Sequence, residues 1–356
     1  MAHLLIMAGG TGGHIIPALA VARILQEKHI SVSWIGARGG LEETLVTDAG
    51  IAFDGIDIKG LRQSGLKRKV VMPFMLLHAV YQSWKIFKMR RPGAVLGMGG
   101  FVSGPGGIVA GLLGVPIVLH EQNTVAGLTN RWLSKICKLV LTGFPEASGF
   151  AKSQWAGNPV RQEIVDIEDP GERLRDRAGP LRVLVIGGSQ GAGVFNTHLP
   201  GLLGRALPGR YEVHHQCGRS GLQETEAAYE EHGVDAKVSP FISDMAQAYS
   251  WSDLVICRSG AMTVSEVCAA GVAALFVPYP YAVNDHQTIN ANYLVHDDAG
   301  YLVTQESFVQ GDWMTMLENL NANRPELIET ARRARGLARP NAAVRVAGAC
   351  QEVLNA

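Results

Sequence analysis

Three glycine-rich turns could hold a phosphate: Gly9-Gly10-Thr11-Gly12-Gly13, the segment 97–107 (GMGGFVSGPGG) and Gly187-Gly188-Ser189-Gln190-Gly191. Each follows an apolar run and precedes a helical pattern, so backbone N–H groups gather at a helix start, where anions bind readily. None fits GxGxxG with an acid about 20 residues on, and none runs into Gly-Lys-Ser/Thr, which disfavours a nicotinamide dehydrogenase and a P-loop enzyme. Glycines that merely allow a tight turn would explain one such loop. Three loops, two of them repeated in register, favour a ligand. His14 ends the first turn and opens a helix, whose positive end disfavours imidazolium and leaves a ring able to take a proton. Glu121 competes for that role.

Other polar groups stand at strand ends, where doubly wound sheets bind ligands. In the segment 257–266 (CRSGAMTVSE), Thr263 and Glu266 have capping-box spacing, and a carboxylate in this place could instead take both hydroxyls of a ribose. Asp285, His286 and Gln287 lie in a polar loop, YPYAVNDHQTINAN, after an apolar run. His120-Glu121-Gln122-Asn123 ends another, with Asn130 seven residues beyond Asn123, two helical turns that would set both amides toward one side of a helix start. Turn and capping roles are the plain alternative for each of these segments.

Charge is unevenly spread. The totals are 32 basic and 32 acidic residues, net zero, but no acid lies between Asp57 and Glu121 while nine bases do: Lys59, Arg62, Lys67, Arg68, Lys69, Lys85, Lys88, Arg90 and Arg91. Phe74, Leu76, Leu77, Trp84 and Phe87 are interleaved with them, a pattern suited to an anionic bilayer surface. An ordinary core helix with a basic solvated face is the alternative, and no nucleic-acid motif accompanies the patch.

Positioning these groups needs strands and helices in alternation. At 356 residues with 47% apolar and 18% charged side chains, the chain suits two domains and is not disordered. Strands are expected at His3–Ala8, Ser31–Gly36, Ala94–Leu96, Val115–His120 and Leu139–Leu141, then at Arg182–Ile186, Tyr211–Gln216, Ala236–Val238, Leu254–Cys257 and Ala274–Val277. A helix is expected over Leu19–Leu25, with Pro17 near its first turn. The strand–turn–helix at Gly9 recurs 178 residues later at Gly187, which predicts two doubly wound α/β domains in tandem, divided near Gly157-Asn158-Pro159. A last helix, Ala342 to Leu354, could pack on either. Five scattered cysteines without CxxC point to a reducing compartment, with no disulfide framework or structural zinc. The first basic residue is Arg23, so no secretory leader is expected, and no apolar stretch reaches the roughly 18 residues of a spanning helix.

Six motifs together are specific: GGTGGH at 9–14, GMGGFVSGPGG at 97–107, HEQN at 120–123 with AGLTN at 126–130, GNPVR at 157–161, GGSQGA at 187–192 and RSGAMTVSE at 258–266. In this order and spacing they resemble the MurG family, peripheral membrane N-acetylglucosaminyltransferases of bacterial peptidoglycan synthesis, from end to end. The resemblance implies a GT-B fold, two Rossmann-like domains facing a central cleft. It places an acceptor and membrane-docking domain at 1–158, joined by the C-terminal helix 341–356, and a UDP-GlcNAc domain at 159–340. It implies inverting transfer of GlcNAc from UDP-GlcNAc to the MurNAc C4 hydroxyl of undecaprenyl-pyrophosphoryl-MurNAc-pentapeptide, lipid intermediate I becoming lipid intermediate II.

By the same resemblance Ser189 contacts the donor diphosphate, Phe241 and Ile242 the uracil (Ile242 through its backbone), and Ala261, Met262 and Thr263 the nucleotide and phosphates. Glu266 is the ribose ligand, while Gln287, Asn123 and Arg161 bind donor and sugar. Thr11, Gly12 and Gly13 face the cleft, and Arg258 and Asn130 complete the binding set. Lys67, Arg68, Lys69, Phe74, Leu77, Trp84, Lys85 and Lys88 dock the membrane. Phe101 and Thr288 stand where some members have Tyr and Gln. No cofactor is expected, and no metal, since no DxD-like acid pair flanks the turns. Expected partners are anionic inner-membrane lipids at the cytoplasmic face and cell-wall synthesis and division proteins, not nucleic acid. Rival readings are another UDP-sugar transferase acting on a membrane glycolipid, or a scaffold that binds without turnover.

Overall fold

Apolar runs without polar alternation, such as LLIM at 4–7 and VLVI at 183–186, suit strands covered on both faces, as in parallel sheets flanked by helices. The computed structural model describes residues 2–58, 66–188, 191–205 and 209–356, with side chains from 72 onward in the helix Leu66–Arg90. It places these runs at the centres of two parallel sheets. Two units result: Met1–Arg161 with Pro340–Ala356, and Gln162–Arg339.

Among the described residues, the first sheet holds β1 (His3–Met7), β2 (Ser31–Ala37), β3 (Ala52–Ile56), β4 (Ala94–Gly97), β5 (Ile117–Glu121), β6 (Leu139–Thr142) and β7 (Gln154–Trp155). Their order is β3-β2-β1-β4-β5-β6-β7 and every pairing is parallel. The order reverses between β1 and β4, the switch point at which such sheets open a crevice beyond the strand ends. Side chains of β1 alternate between two cores. Leu4 and Ile6 pack with Ile15, Ala18, Val21, Ala22 and Leu25 of the helix Gly12–Glu27 and with Val346, Ala347, Cys350 and Val353 of the C-terminal helix Ala342–Asn355. Leu5 and Met7 face Val109 and Ala110 of the helix Ser103–Leu112, and Ala79, Ile86 and Phe87 of Leu66–Arg90. The apolar stripe of the last helix thus places it in the first unit.

The second sheet holds β8 (Leu181–Ile186), β9 (Tyr211–Gln216), β10 (Asp235–Ser239), β11 (Leu254–Cys257), β12 (Ala273–Phe276) and β13 (Tyr301–Leu302), in the order β10-β9-β8-β11-β12-β13, all parallel. Its switch point lies between β8 and β11. Buried Asp253, just before β11, accepts from Arg177 Nη1 and Arg324 Nη1, both at 2.9 Å, and from Arg182 N at 3.0 Å. A buried carboxylate needs such complete pairing.

Three elements differ from expectation. The first helix begins at Gly12, so Pro17 lies inside it rather than near its first turn. Thr11 is its N-cap, with extended backbone (φ −141°), and accepts at its carbonyl from His14 N and Ile15 N. Second, Asn123 and Asn130 do not share a helix: the helix is Leu128–Leu133, and Asn123 lies outside it. Third, Thr263 is not a cap. The helix Ala261–Ala270 has Gly260 at its N-cap and no side-chain capping bond, so Glu266 lies inside it and closes no capping box.

Candidate active site

Both switch points are occupied by the glycine turns. In the first unit the turn after β1 and the turn after β4 touch backbone to backbone: Gly100 has φ +81°, and a Cβ there would run into Gly9 O. Only glycine meets both demands. Ser103 Oγ, 2.8 Å from Met7 O and 2.7 Å from Gly99 O, ties the second turn to the end of β1. Glu42, 1% exposed, lies against the first turn, where its carboxylate accepts from Ala37 N at 2.8 Å and Gly10 N at 3.4 Å.

His14 occupies the first turn of the helix Gly12–Glu27, half-buried. Its Nδ1 lies 3.1 Å from Oε1 of Gln122, a residue 1% exposed whose Nε2 donates to Met98 O at 2.9 Å. Glu121, at the end of β5 and also 1% exposed, is a hub. Its Oε1 accepts from Asn123 N at 3.0 Å and Asn123 Nδ2 at 3.1 Å, and its Oε2 from Asn130 Nδ2 at 2.8 Å and Gly127 N at 3.0 Å. Four donors on both oxygens explain why Asn123 and Asn130 converge without a common helix. They also tie this carboxylate to the loop 121–130. Beside it, His120 donates from Nε2 to Gly157 O at 2.9 Å, and burial pushes its pKa down to about 4. Thr11 is exposed, Gly12 and Gly13 are half-buried, and Arg161 ends the first unit.

In the second unit Gly191 has φ +74°, and a Cβ there would run into Cys217 O. Gln216, at the end of β9, donates from Nε2 to Gly188 O at 2.8 Å and accepts at Oε1 from Ile242 N at 3.0 Å. One buried amide thus fixes the glycine turn and the segment expected to meet uracil. It also engages the Ile242 N–H. Phe241 is exposed and Ile242 buried. Glu266, 7% exposed, accepts from Tyr249 Oη at 3.2 Å. Ala261 is buried, and Met262 and Thr263 half-buried, in the first turn of that helix. Asn290 Nδ2 donates to Ser259 O at 3.2 Å, anchoring the preceding loop. Gln287 Oε1 accepts from Tyr279 N at 2.9 Å.

Arg258 is held by its own neighbours. Its Nη1 donates to Val277 O and Pro278 O, both at 3.0 Å, and its Nη2 to Gln305 Oε1 at 2.6 Å, with Phe195 and Tyr279 rings 5.2 and 5.5 Å from the guanidinium carbon. Those contacts brace the chain from 277 to 305. Ser189 lies outside the described residues, as do the side chains of Lys67, Arg68 and Lys69. On the rest of that helix Phe74 and Leu77 are 71% and 67% exposed, and Tyr81 and Trp84 continue the same stripe at helical spacing. Lys85 Nζ sits over the Tyr81 ring at 4.6 Å and Lys88 Nζ near Trp84 at 5.7 Å. Phe87, grouped with them in the sequence, is buried. Among the described residues, no helix is long and apolar enough to cross a membrane.

Gln122 lies within the HEQN motif without being singled out as a site residue, and Gln216 carries no motif at all. The one available signal is a carboxamide closing or following a buried strand at a sheet's carboxyl edge.

Two doubly wound units with glycine turns at their switch points define the class, a nucleotide-sugar type of transferase fold. The glycosyltransferase family 28 N-terminal domain matches residues 4–142 and the family 28 C-terminal domain residues 182–346. The crystal structure of Acinetobacter baumannii MurG superposes with a TM-score of 0.83 at 41% identity, covering 99% of this chain and 100% of that one. A relative from Marinobacter nauticus is 49% identical over 356 residues, 99% of this chain and 98% of its own. One from Alcanivorax borkumensis is 48% identical over 352 residues, with the same coverage. Both relatives are named UDP-N-acetylglucosamine–N-acetylmuramyl-(pentapeptide) pyrophosphoryl-undecaprenol N-acetylglucosamine transferase. The chain belongs to the MurG family of glycosyltransferase family 28.

Proposed function

We propose that the chain moves N-acetylglucosamine from UDP-GlcNAc to the MurNAc C4 hydroxyl of undecaprenyl-pyrophosphoryl-MurNAc-pentapeptide, making lipid intermediate II from lipid intermediate I in peptidoglycan synthesis. The observation that carries this reading is 49% identity to a transferase of that name across both units. The acceptor oxygen bonds to the anomeric carbon, and the bond from that carbon to the β-phosphate oxygen breaks. The electron pair leaves with UDP, and a single displacement inverts the sugar. The acceptor proton passes to His14, while Glu121 holds Asn123 and Asn130 in place.

In the second unit, N–H groups of the turn around Gly188 and Gly191 and of the helix start at Ala261 stabilise the charge that develops on the diphosphate. Glu266 accepts from the ribose hydroxyls. With the Ile242 N–H engaged by Gln216, uracil is recognised through the Ile242 carbonyl. Backbone donors can do this work without a divalent ion, so activity should survive excess EDTA. Loss restored by Mg²⁺ or Mn²⁺ would refute that part.

The exposed stripe Phe74–Leu77–Tyr81–Trp84 with Lys85 and Lys88 docks the protein on anionic lipid at the cytoplasmic face of the inner membrane. Each basic residue near such a surface adds about 1 kcal/mol. Co-sedimentation with anionic vesicles should fall with salt and after Lys67, Arg68 and Lys69 are changed to Glu. Unchanged binding would contradict this role.

The test of the activity is transfer of radiolabelled GlcNAc to a lipid intermediate I analogue beside a panel of other glycolipids. Label on the analogue supports the reading. Label only on another acceptor, or none at all, overturns it.

A further inference from the structure

We infer that Gln122 is a positioning residue that holds His14 in the Nδ1–H tautomer and so aims an unprotonated Nε2 at the acceptor. The inference rests on the reading of His14 as the base. The geometry fixes the direction of each bond. Met98 O can only accept, so the group 2.9 Å from it must be the Gln122 amide nitrogen. That sets Oε1 toward His14, 3.1 Å from Nδ1. An amide oxygen also only accepts, so Nδ1 must carry the proton of the neutral ring. The lone pair is then on Nε2.

The amide has no freedom to reverse this. Gln122 is 1% exposed, and its main-chain carbonyl accepts from Asn158 Nδ2 at 3.0 Å, which fixes the backbone from which the side chain springs. The wall opposite is tight: a Cβ at Gly99 would lie 3.3 Å from His14 Nδ1 and 3.2 Å from Asn130 Nδ2. Two titratable groups near His14 come from β5. His120 is buried and neutral, and Glu121 has both oxygens committed to the loop. In a hydrolytic triad a carboxylate does the equivalent holding and also stabilises the imidazolium. A neutral amide fixes the tautomer alone, which suits a base that must give its proton up again after each transfer.

The test is the ¹⁵N spectrum of histidine-labelled full-length protein, with His14 identified by the signal that disappears in His14→Gln. The wild type should show protonated Nδ1 and unprotonated Nε2. Gln122→Met should shift the ring toward Nε2–H and cut kcat about 10- to 100-fold, with the KM for UDP-GlcNAc within about twofold. Gln122→Glu, which keeps an acceptor for Nδ1–H, should retain the Nδ1 proton. Protonated Nε2 in the wild type, or an unaltered tautomer and kcat in Gln122→Met, overturns the inference. If Gln122→Met does not fold, the wild-type and Gln122→Glu spectra still decide. Failure of the base reading looks different: His14→Gln would keep more than a tenth of wild-type turnover, whatever the spectra show.

Discussion

The two glycine turns that align 178 residues apart share a strand–turn–helix design and differ in what lies beneath them. Under the first, the Glu42 carboxylate takes the Gly10 N–H and sets negative charge against the loop. Under the second, the neutral Gln216 amide donates to the Gly188 carbonyl, which also accepts from Gly191 N at 3.0 Å. The first helix starts at Gly12, which brings His14 into its opening turn. The second starts at Gly193, and Ala192, aligned with His14, is buried in the core. On the reading proposed above, one local fold serves two roles: the first turn sets His14 where it can take the acceptor proton, and the second belongs to the donor diphosphate.

Four substitutions or conditions can break or sharpen that contrast. The largest effect is expected from His14→Ala, since general-base help is worth roughly 10²–10⁴-fold. Turnover should fall at least about 100-fold while UDP-GlcNAc affinity stays within a few-fold; a variant retaining more than a tenth of wild-type turnover would remove proton transfer from the first turn.

Next comes acid sensitivity, carried by a buried histidine in each unit. Burial lowers the pKa of His120 to about 4 and of His215 to about 3. As pH falls below about 6.5 the unfolded chain takes these protons first, so the associated stability is complete above that pH and is lost on the way down to the folded values. For His120 the loss approaches about 3 kcal/mol. Scanning calorimetry from pH 7 to 4 should show falling melting temperatures, and a flat profile would contradict the neutral buried rings.

Glu266→Ala should weaken UDP-GlcNAc binding about 10- to 100-fold, because charge-assisted hydrogen bonds of this kind contribute roughly 1.5–3 kcal/mol. Since Glu266 closes no capping box, calorimetric titration rather than melting should carry the effect. Tyr249→Phe removes one donor to that carboxylate. It should cost a few-fold in donor affinity, about 1 kcal/mol, with kcat unchanged. A larger loss of kcat than of affinity would place Tyr249 elsewhere in the reaction.

Leu254–Cys257, apolar along its whole length, and Tyr211–Gln216, where buried Tyr211 and Val213 alternate with half-buried Glu212 and His214, lie where the sequence puts them. The strands that escaped notice are β3, β7 and β13. AFDGI mixes a glycine and an acid into an edge strand, and the other two are two residues long, too short for any periodicity. The start of the first helix was hidden by Thr-Gly-Gly, weak helix formers whose placement is decided by packing of Ile15 and Ala18 on β1. Within the site, the glycine turns are legible from residue type at strand ends, and His14 and Glu266 as polar groups on the helices that follow. The arrangement around Glu121 is not, because it gathers Asn123, Gly127 and Asn130 by hydrogen bonds that obey no period. The bonds of Arg258 to Val277, Pro278 and Gln305, which brace the chain from 277 to 305, are likewise not announced by its motif.

The division of labour between the two units is tested most directly by a double-mutant cycle on His14→Ala and Glu266→Ala, with kcat and UDP-GlcNAc Kd measured for all four proteins. The account predicts that His14→Ala lowers kcat alone, that Glu266→Ala raises Kd alone, and that the double variant shows the two losses as a sum within about 0.5 kcal/mol. Loss of donor binding in His14→Ala in proportion to its loss of turnover would contradict it.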